Sequence, residues 1–209
     1  MSHVVLLGDS IFDNQPYVAP QPDVIHQLRA HLGAGWTATL LAVDGHVTDD
    51  VRERQLGRMP QEATHLVVSV GGNDALGSSG ILNEPARSVA EAVTLLAQAQ
   101  ARFAHSYARM IEAVLARGLP TAVCTIYDAN YPEPQRQVIV AALALFNDVI
   151  TRAAFGRGLP LIDLRLICEH PADYANPIEP SATGGDKIAR VIAGQVQDKM
   201  RERSTIWAR

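Results

Sequence analysis

Short apolar runs alternate with longer amphipathic stretches along the chain. Five runs, His3–Gly8, Thr37–Val43, His65–Gly71, Pro120–Tyr127 and Pro160–Leu164, are β-branched or Leu-rich and bounded by Gly, Pro or Asp. That signature predicts buried strands. Between Ala86 and Arg117, apolar residues fall at Val89, Val93, Leu96, Phe103, Tyr107, Met110 and Val114, and Arg87, Glu91, Arg102 and Glu112 lie off that stripe. The steps of three, four or seven predict one amphipathic helix. Arg117-Gly118-Leu119-Pro120 supplies its stop. From Gln135 to Phe155 the same period recurs through Ile139, Ala142, Leu143, Phe146, Val149, Ile150 and Ala153, ending at Gly156-Arg157-Gly158. A last helix carries Ile188, Val191, Ile192, Val196 and Met200. Its entry, Thr183-Gly184-Gly185-Asp186, has capping-box spacing with Asp in place of Glu.

Strand and helix in strict alternation predict a parallel sheet covered by helices on both faces. Ligands in such folds sit beyond the C-terminal ends of the strands. The length, 209 residues, fits a single domain over 1–209. Composition then narrows the function classes. With 18 Lys+Arg against 22 Asp+Glu and a formal charge of -4, the chain carries no basic footprint, and no nucleic-acid partner is expected. No uninterrupted apolar run reaches about 18 residues, so no membrane partner is expected either. Val4-Val5-Leu6-Leu7 is too short for a signal peptide and lacks a basic lead. The two cysteines, Cys124 and Cys168, have no metal-ligand spacing, and a reducing cytoplasm is the expected compartment. No metal and no cofactor is expected, and the oligomeric state is left open.

Three polar clusters follow predicted strands: Gly8-Asp9-Ser10, Asp44-Gly45-His46 and Gly71-Gly72-Asn73-Asp74. A serine just past a strand can present its hydroxyl beside a free backbone N–H, as a nucleophile next to an oxyanion hole requires. Gly45 lets a backbone N–H approach a ligand without a Cβ in the way. The Asn73 amide can donate to a developing oxyanion. Each cluster taken singly reads equally as a turn, because Gly, Asp, Asn and Ser are turn residues.

Taken as an ordered set, the three clusters resemble the SGNH/GDSL hydrolase superfamily, with its GDS, Gly and GxND blocks. The resemblance covers nearly the whole chain. It implies a flavodoxin-like three-layer α/β/α sandwich around a five-stranded parallel sheet. It further implies an esterase- or lipase-like hydrolase acting on small esters or acyl groups. Ser10 would be the nucleophile, and the Ser10 and Gly45 N–H groups with the Asn73 amide would form the oxyanion hole.

The family's fourth block departs from the pattern. Where the family has Asp, two residues, His, Pro, three residues and Gly, this chain reads Asn176-Pro177-Ile178-Glu179-Pro180-Ser181-Ala182-Thr183-Gly184. The Pro and Gly keep register; Glu179 replaces the His and Asn176 the Asp. Three readings stay open. Glu179 is the base, its pKa lifted from the ordinary value near 4.3 by burial, with Asn176 holding it. Alternatively His170, in Glu169-His170-Pro171 with Asp173 nearby, moves in from the preceding loop. In the third reading the base is lost and the fold binds a ligand without turnover.

The remaining residues have quieter readings. Asp9 is expected to support Ser10 as a hydrogen-bond acceptor, Asp74 to fix the Asn73 loop, and His46 to line the pocket or to face solvent. A metal-dependent phosphoesterase is a rival, since Asp9, Asp13, Asp44, His46 and Asp74 loosely match its blocks, but in the wrong order and spacing. Gly33-Ala34-Gly35-Trp36-Thr37-Ala38 precedes a strand, where a dinucleotide fingerprint must follow one. Segments Gly77–Pro85 and Asp128–Pro134 are expected to border the pocket, with Asn130, Tyr131 and Pro132 meeting an acyl group. The short chain shows no lid, an arrangement that suits small soluble esters.

Overall fold

The computed structural model describes residues 1–198. Strands β1 (Ser2–Gly8), β2 (Trp36–Leu40), β3 (His65–Ser69), β4 (Thr121–Cys124) and β5 (Leu161–Ile162) form one parallel sheet in the order β2-β1-β3-β4-β5. The order reverses between β1 and β3, and a crevice opens at such a reversal beyond the strands' C-terminal ends. All five predicted strands are present, but the last four end earlier than their apolar runs. Leu41, Ala42, Val70 and Tyr127 lie past the ladders and are still buried under loops, so hydrophobicity overruns the hydrogen-bonded segment.

Side chains alternate across the sheet, as the strand period requires. Val4 and Leu6 join one core with residues of helices α2 (Val24–His31) and α7 (Ala182–Val196). Val5 and Leu7 join the other, with α5 (Val89–Leu115) and α6 (Gln135–Gly156). Shorter pieces complete the chain: α1 (Gln15–Val18), α3 (Thr48–Asp50), a π-helical turn at Val51–Gln55, and α4 (Gly72–Gly77) followed by a 3-10 turn at Ser79–Asn83. An antiparallel hairpin, β6 (Tyr174–Asn176) with β7 (Glu179–Pro180), precedes α7.

Two expectations need correction, and a third lies outside the described residues. The α7 entry is capped by Ser181, whose Oγ accepts from Gly184 N at 3.2 Å; Thr183 lies inside the helix, and Asp186 instead bonds His31 and Arg190. Met200 falls outside the described residues. By length and composition α6 is apolar enough to cross a membrane, with mean hydropathy 1.8; scattered polar residues had hidden this from a count of unbroken runs. In this fold α6 buries Leu143, Phe146, Ile150 and Ala154 against the rest of the protein.

Candidate active site

The site starts with a backbone that only glycine permits. Gly8 has φ +138°, and a Cβ there would lie 1.7 Å from the Ser69 carbonyl oxygen. Glycine therefore lets the chain leave β1 hard against β3. The fully buried Gln55 then grips Gly8 at both ends, accepting from its N–H at 2.9 Å and donating to its carbonyl at 2.7 Å. Beyond this clamp, Phe12 and Asp13 N–H groups both donate to the Asp9 carbonyl at 3.1 Å, closing a turn around Ser10. The Ser10 N–H has no protein partner among the described residues. Its hydroxyl faces a cavity.

That hydroxyl donates to Glu179 Oε1 at 3.0 Å. Glu179 is brought there by the β6–β7 hairpin, which is pinned on several sides. Asn14 is wholly buried; its Nδ2 donates to the Pro180 carbonyl at 3.2 Å, while its Oδ1 accepts from Val24 N at 3.0 Å. Tyr127 donates to the Ile178 carbonyl at 2.6 Å, and Asn130 N to that of Pro177 at 2.8 Å. Burial pushes the Glu179 carboxyl up to about 7; the Ser10 hydrogen bond opposes this and the charge of Asp44 adds to it. Its second oxygen, Oε2, is buried with no protein partner among the described residues.

Gly45, at φ +80°, occupies the loop after β2, and its N–H also has no protein partner among the described residues. Asn73, in the first turn of α4, donates one amide hydrogen to the His46 carbonyl at 3.0 Å, which leaves its second hydrogen available. His46 Nδ1 meets Gln55 Nε2 at 2.9 Å, and His46 is not a cavity residue. Asp74 accepts from both the N–H and the hydroxyl of Thr48, at 3.0 and 2.9 Å, tying α4 to α3. Burial raises the Asp74 carboxyl against those two hydrogen bonds.

The other candidates fall elsewhere. His170 is exposed, and its N–H bonds Asp173, which pairs with Lys187 at 2.7 Å. The Ser10 hydroxyl is held by Glu179, so His170 is not the residue set against the serine. Asn176 sits opposite Glu179 in the hairpin register, but its Oδ1 accepts from Ile178 N at 2.9 Å; it shapes the turn rather than gripping the carboxylate. Asp9 Oδ1 accepts from Ile11 N at 3.2 Å. Burial drives its carboxyl up to about 8 against that bond, and the charge of Glu179 adds to the shift. No group of three or more His, Cys, Asp or Glu is placed to hold a metal ion among the described residues, so the phosphoesterase pieces do not converge.

Ser10 and Glu179 border a cavity of about 490 Å³. Ser78, Ser79, Ile81, Leu82 and Asn83 border it as expected, as do Ala129 and Tyr131; Asn130 and Pro132 do not. Much of the wall comes instead from Leu96 and Ala99 of α5 and from Ile139, Ala142, Leu143 and Phe146 of α6. Leu96, Ile139 and Ala142 lie on stripes that read as core in the sequence. An apolar stripe looks the same whether it meets a neighbouring helix or a cavity. Asn14 and Gln55 were missed altogether, since nothing local distinguishes a buried backbone clamp from a loop amide.

The fold has well-matched counterparts among solved structures. An extracellular lipase from Streptomyces rimosus superposes with TM-score 0.69 at 19% identity, covering 93% of this chain and 99% of that one. A carbohydrate acetylesterase from Sinorhizobium meliloti gives 0.67 at 12% identity, over 96% and 100%. The inhibitor-bound aryl esterase of M. smegmatis gives 0.66 at 12%, over 96% and 100%. No curated protein matches the chain in sequence. A model of the GDSL-like lipase/acylhydrolase family matches residues 6–187, and with that span, this sheet and these strand-end clusters the chain belongs to that family.

Proposed function

We propose that the protein is a serine carboxylic-ester hydrolase in which Ser10 is the nucleophile and Glu179 serves as general base in place of a histidine. The 3.0 Å hydrogen bond from Ser10 Oγ to Glu179 Oε1 carries this reading. A carboxylate at its ordinary pKa is a weak base toward an alcohol; burial lifts this one to about 7, near the range where a base is most useful.

In this mechanism ionised Glu179 takes the hydroxyl proton as Ser10 Oγ attacks the ester carbon. The negative charge that develops on the carbonyl oxygen is met by the Ser10 and Gly45 N–H groups and the second Asn73 amide hydrogen. Protonated Glu179 then gives its proton to the departing alkoxide, leaving an acyl-serine. Water attacks the acyl-serine, Glu179 takes the water's proton, and Ser10 leaves with that proton as the acid is released. Asp9 supports the turn that presents Ser10 and takes no part in proton transfer.

A fluorophosphonate probe tests the core of this reading. Covalent labelling that is lost in Ser10→Ala and strongly slowed in Glu179→Gln is the expected result. A folded wild type that neither labels nor turns over any ester would instead leave the protein as a binding module.

A further inference from the structure

We propose that Asp44 is a positioning residue of this site: braced by Tyr17 and Asp13, it holds the Asp44–Gly45 peptide against the turn that presents Ser10. This role rests on the hydrolase reading above, in which the Gly45 N–H is an oxyanion donor, but the brace itself is measurable without turnover.

The local backbone shows why a brace matters. His46 N donates to the Val43 carbonyl at 3.1 Å, so Val43 to His46 is a four-residue turn with Asp44 and Gly45 at its centre. The φ of +80° at Gly45 is that of the third position of a type II turn. Both ends of the turn are tied to the site. Val43 N donates to the Gly8 carbonyl at 3.2 Å, and Asn73 Nδ2 to the His46 carbonyl at 3.0 Å. The centre is exposed. Surface loops are the mobile parts of a fold, and a glycine adds freedom to them.

Asp44 is gripped through both its backbone and its side chain. Its N–H donates to Asp13 Oδ2 at 2.9 Å, and its Oδ2 accepts from the Tyr17 hydroxyl at 2.7 Å. Asp13 closes the turn around Ser10 through its own N–H. Tyr17 lies on α1, which packs against β6 of the hairpin that brings Glu179. Asp44 therefore ties the loop of one oxyanion donor to the elements that carry the nucleophile and the base. Its hydrogen bond pushes the Tyr17 phenol up, which keeps that hydroxyl a donor throughout the assay range.

The brace also has an electrostatic consequence. Around Glu179 stand Asp9 and Asp13 in the Ser10 turn, Tyr17 on α1, Tyr127 after β4 and, with α7, the pairs Lys187–Asp173 and Arg190–Asp186. Asp9 keeps its proton up to about 8, and both phenols stay neutral. The charge that adds to burial in raising the Glu179 carboxyl is that of Asp44. Asp44→Asn keeps an oxygen for Tyr17 and an N–H for Asp13 but removes this charge, which favours ionised Glu179.

Position and charge are therefore separable. Tyr17→Phe and Asp13→Ala each break one grip and leave the Asp44 charge. Each should lower kcat roughly three- to tenfold with little change in KM, short of the 10²–10³ that outright loss of an oxyanion donor costs. Asp13→Asn, which still offers an oxygen to the Asp44 N–H, should recover most of the loss. Asp44→Asn should move the midpoint of the pH profile to lower pH, whereas Tyr17→Phe should leave it near 7. Two measurements need no substrate. In Tyr17→Phe and Asp13→Ala the ¹⁵N order parameters of Asp44 and Gly45 should drop while those of Val43 and His46 hold. The Glu179 titration, followed by ¹³C NMR, should move down in Asp44→Asn. Unchanged kcat in both Tyr17→Phe and Asp13→Ala overturns the positioning role, whatever the order parameters do, while Ser10→Ala and Glu179→Gln still decide the hydrolase reading. Order parameters and a Glu179 titration that respond as stated, in a protein that hydrolyses no ester, support the brace and remove the hydrolase reading instead.

Discussion

Ser10 and Glu179 lie 169 positions apart in sequence and share a buried hydrogen bond of 3.0 Å. In the proposed mechanism the proton on that bond is the one moved, so Glu179 must be ionised for turnover. With its carboxyl pushed up to about 7 by burial, kcat/KM should rise with pH through one apparent pKa near 7 and then level. Glu179→Gln keeps the shape and can still hydrogen-bond, but cannot take a proton; we expect a loss of at least roughly 10²-fold, the lower end of what a general base contributes. A pH profile for p-nitrophenyl ester hydrolysis checks both. A flat profile from pH 5 to 9 would remove Glu179 from proton transfer.

The proposed oxyanion donors give a second expectation. Asn73 uses one amide hydrogen to hold the His46 carbonyl, so its position is fixed before substrate arrives. Replacing it by Ala should lower kcat by roughly 10²–10³-fold, with a much smaller change in KM, because the donor acts on charge that develops in the transition state. Steady-state kinetics on a variant with unchanged circular dichroism is the measurement.

The parts legible in the sequence share one property: they are dictated by steric or periodic rules. Gly8 must precede Ser10 because no Cβ fits beside Ser69, and the alternation of short apolar runs leaves little besides a parallel sheet. Glu179 could be placed by its frame, since Pro180 and Gly184 keep their spacing and a Cβ at Gly184 would lie 2.2 Å from the Asp173 carbonyl oxygen. The illegible parts depend on long-range contacts. Asn14 and Gln55 bond backbone atoms far away in sequence, and the β6–β7 hairpin is too short to show a period. The cleft was unreadable because Leu96, Ile139 and Ala142 lie on ordinary helix stripes.

Asp9 makes stability depend on pH. Its buried carboxyl sits at about 8 against an ordinary 3.8, so between those values the folded chain keeps a proton that the unfolded chain releases. Stability should therefore fall as pH rises from about 4 to 8 and level above that. Asp9→Asn retains an oxygen for the Ile11 N–H and has no proton to lose. Between pH 5 and 8 the wild type should lose on the order of a few kcal/mol more than this variant. Urea melts at both pH values measure the difference; equal losses would show that Asp9 ionises freely in the fold.

Gln55 links stability to the site. Gln55→Leu preserves bulk but leaves the Gly8 N–H without its acceptor and takes one donor from the Gly8 carbonyl, which still receives Val43 N at 3.2 Å. An unsatisfied buried group costs about 1–3 kcal/mol, and the loss should appear in chemical denaturation. Turnover should fall too, since Ser10 follows two residues after the clamp.

The hairpin register permits a sharper test of the proposed carboxylate base. Asn176 stands opposite Glu179, and directly opposed residues in an antiparallel pair have neighbouring Cβ atoms. Glu179→His alone would place an imidazole beside Ser10 with only a neutral amide opposite it. A carboxylate behind such an imidazole fixes its tautomer and stabilises the imidazolium, and is worth up to roughly 10⁴ in kcat. Adding Asn176→Asp to Glu179→His should therefore raise kcat at least tenfold over the single variant. The same Asn176→Asp change in the presence of native Glu179 should act in the opposite sense. It sets a second carboxylate against the first, which favours the protonated base. The pH midpoint should then move above 7 and activity at pH 7 should drop. A substitution that helps the histidine variant and harms the wild type identifies position 176 as the partner of the base. If Asn176→Asp has the same sign in both backgrounds, the two positions are coupled only through the fold of the hairpin.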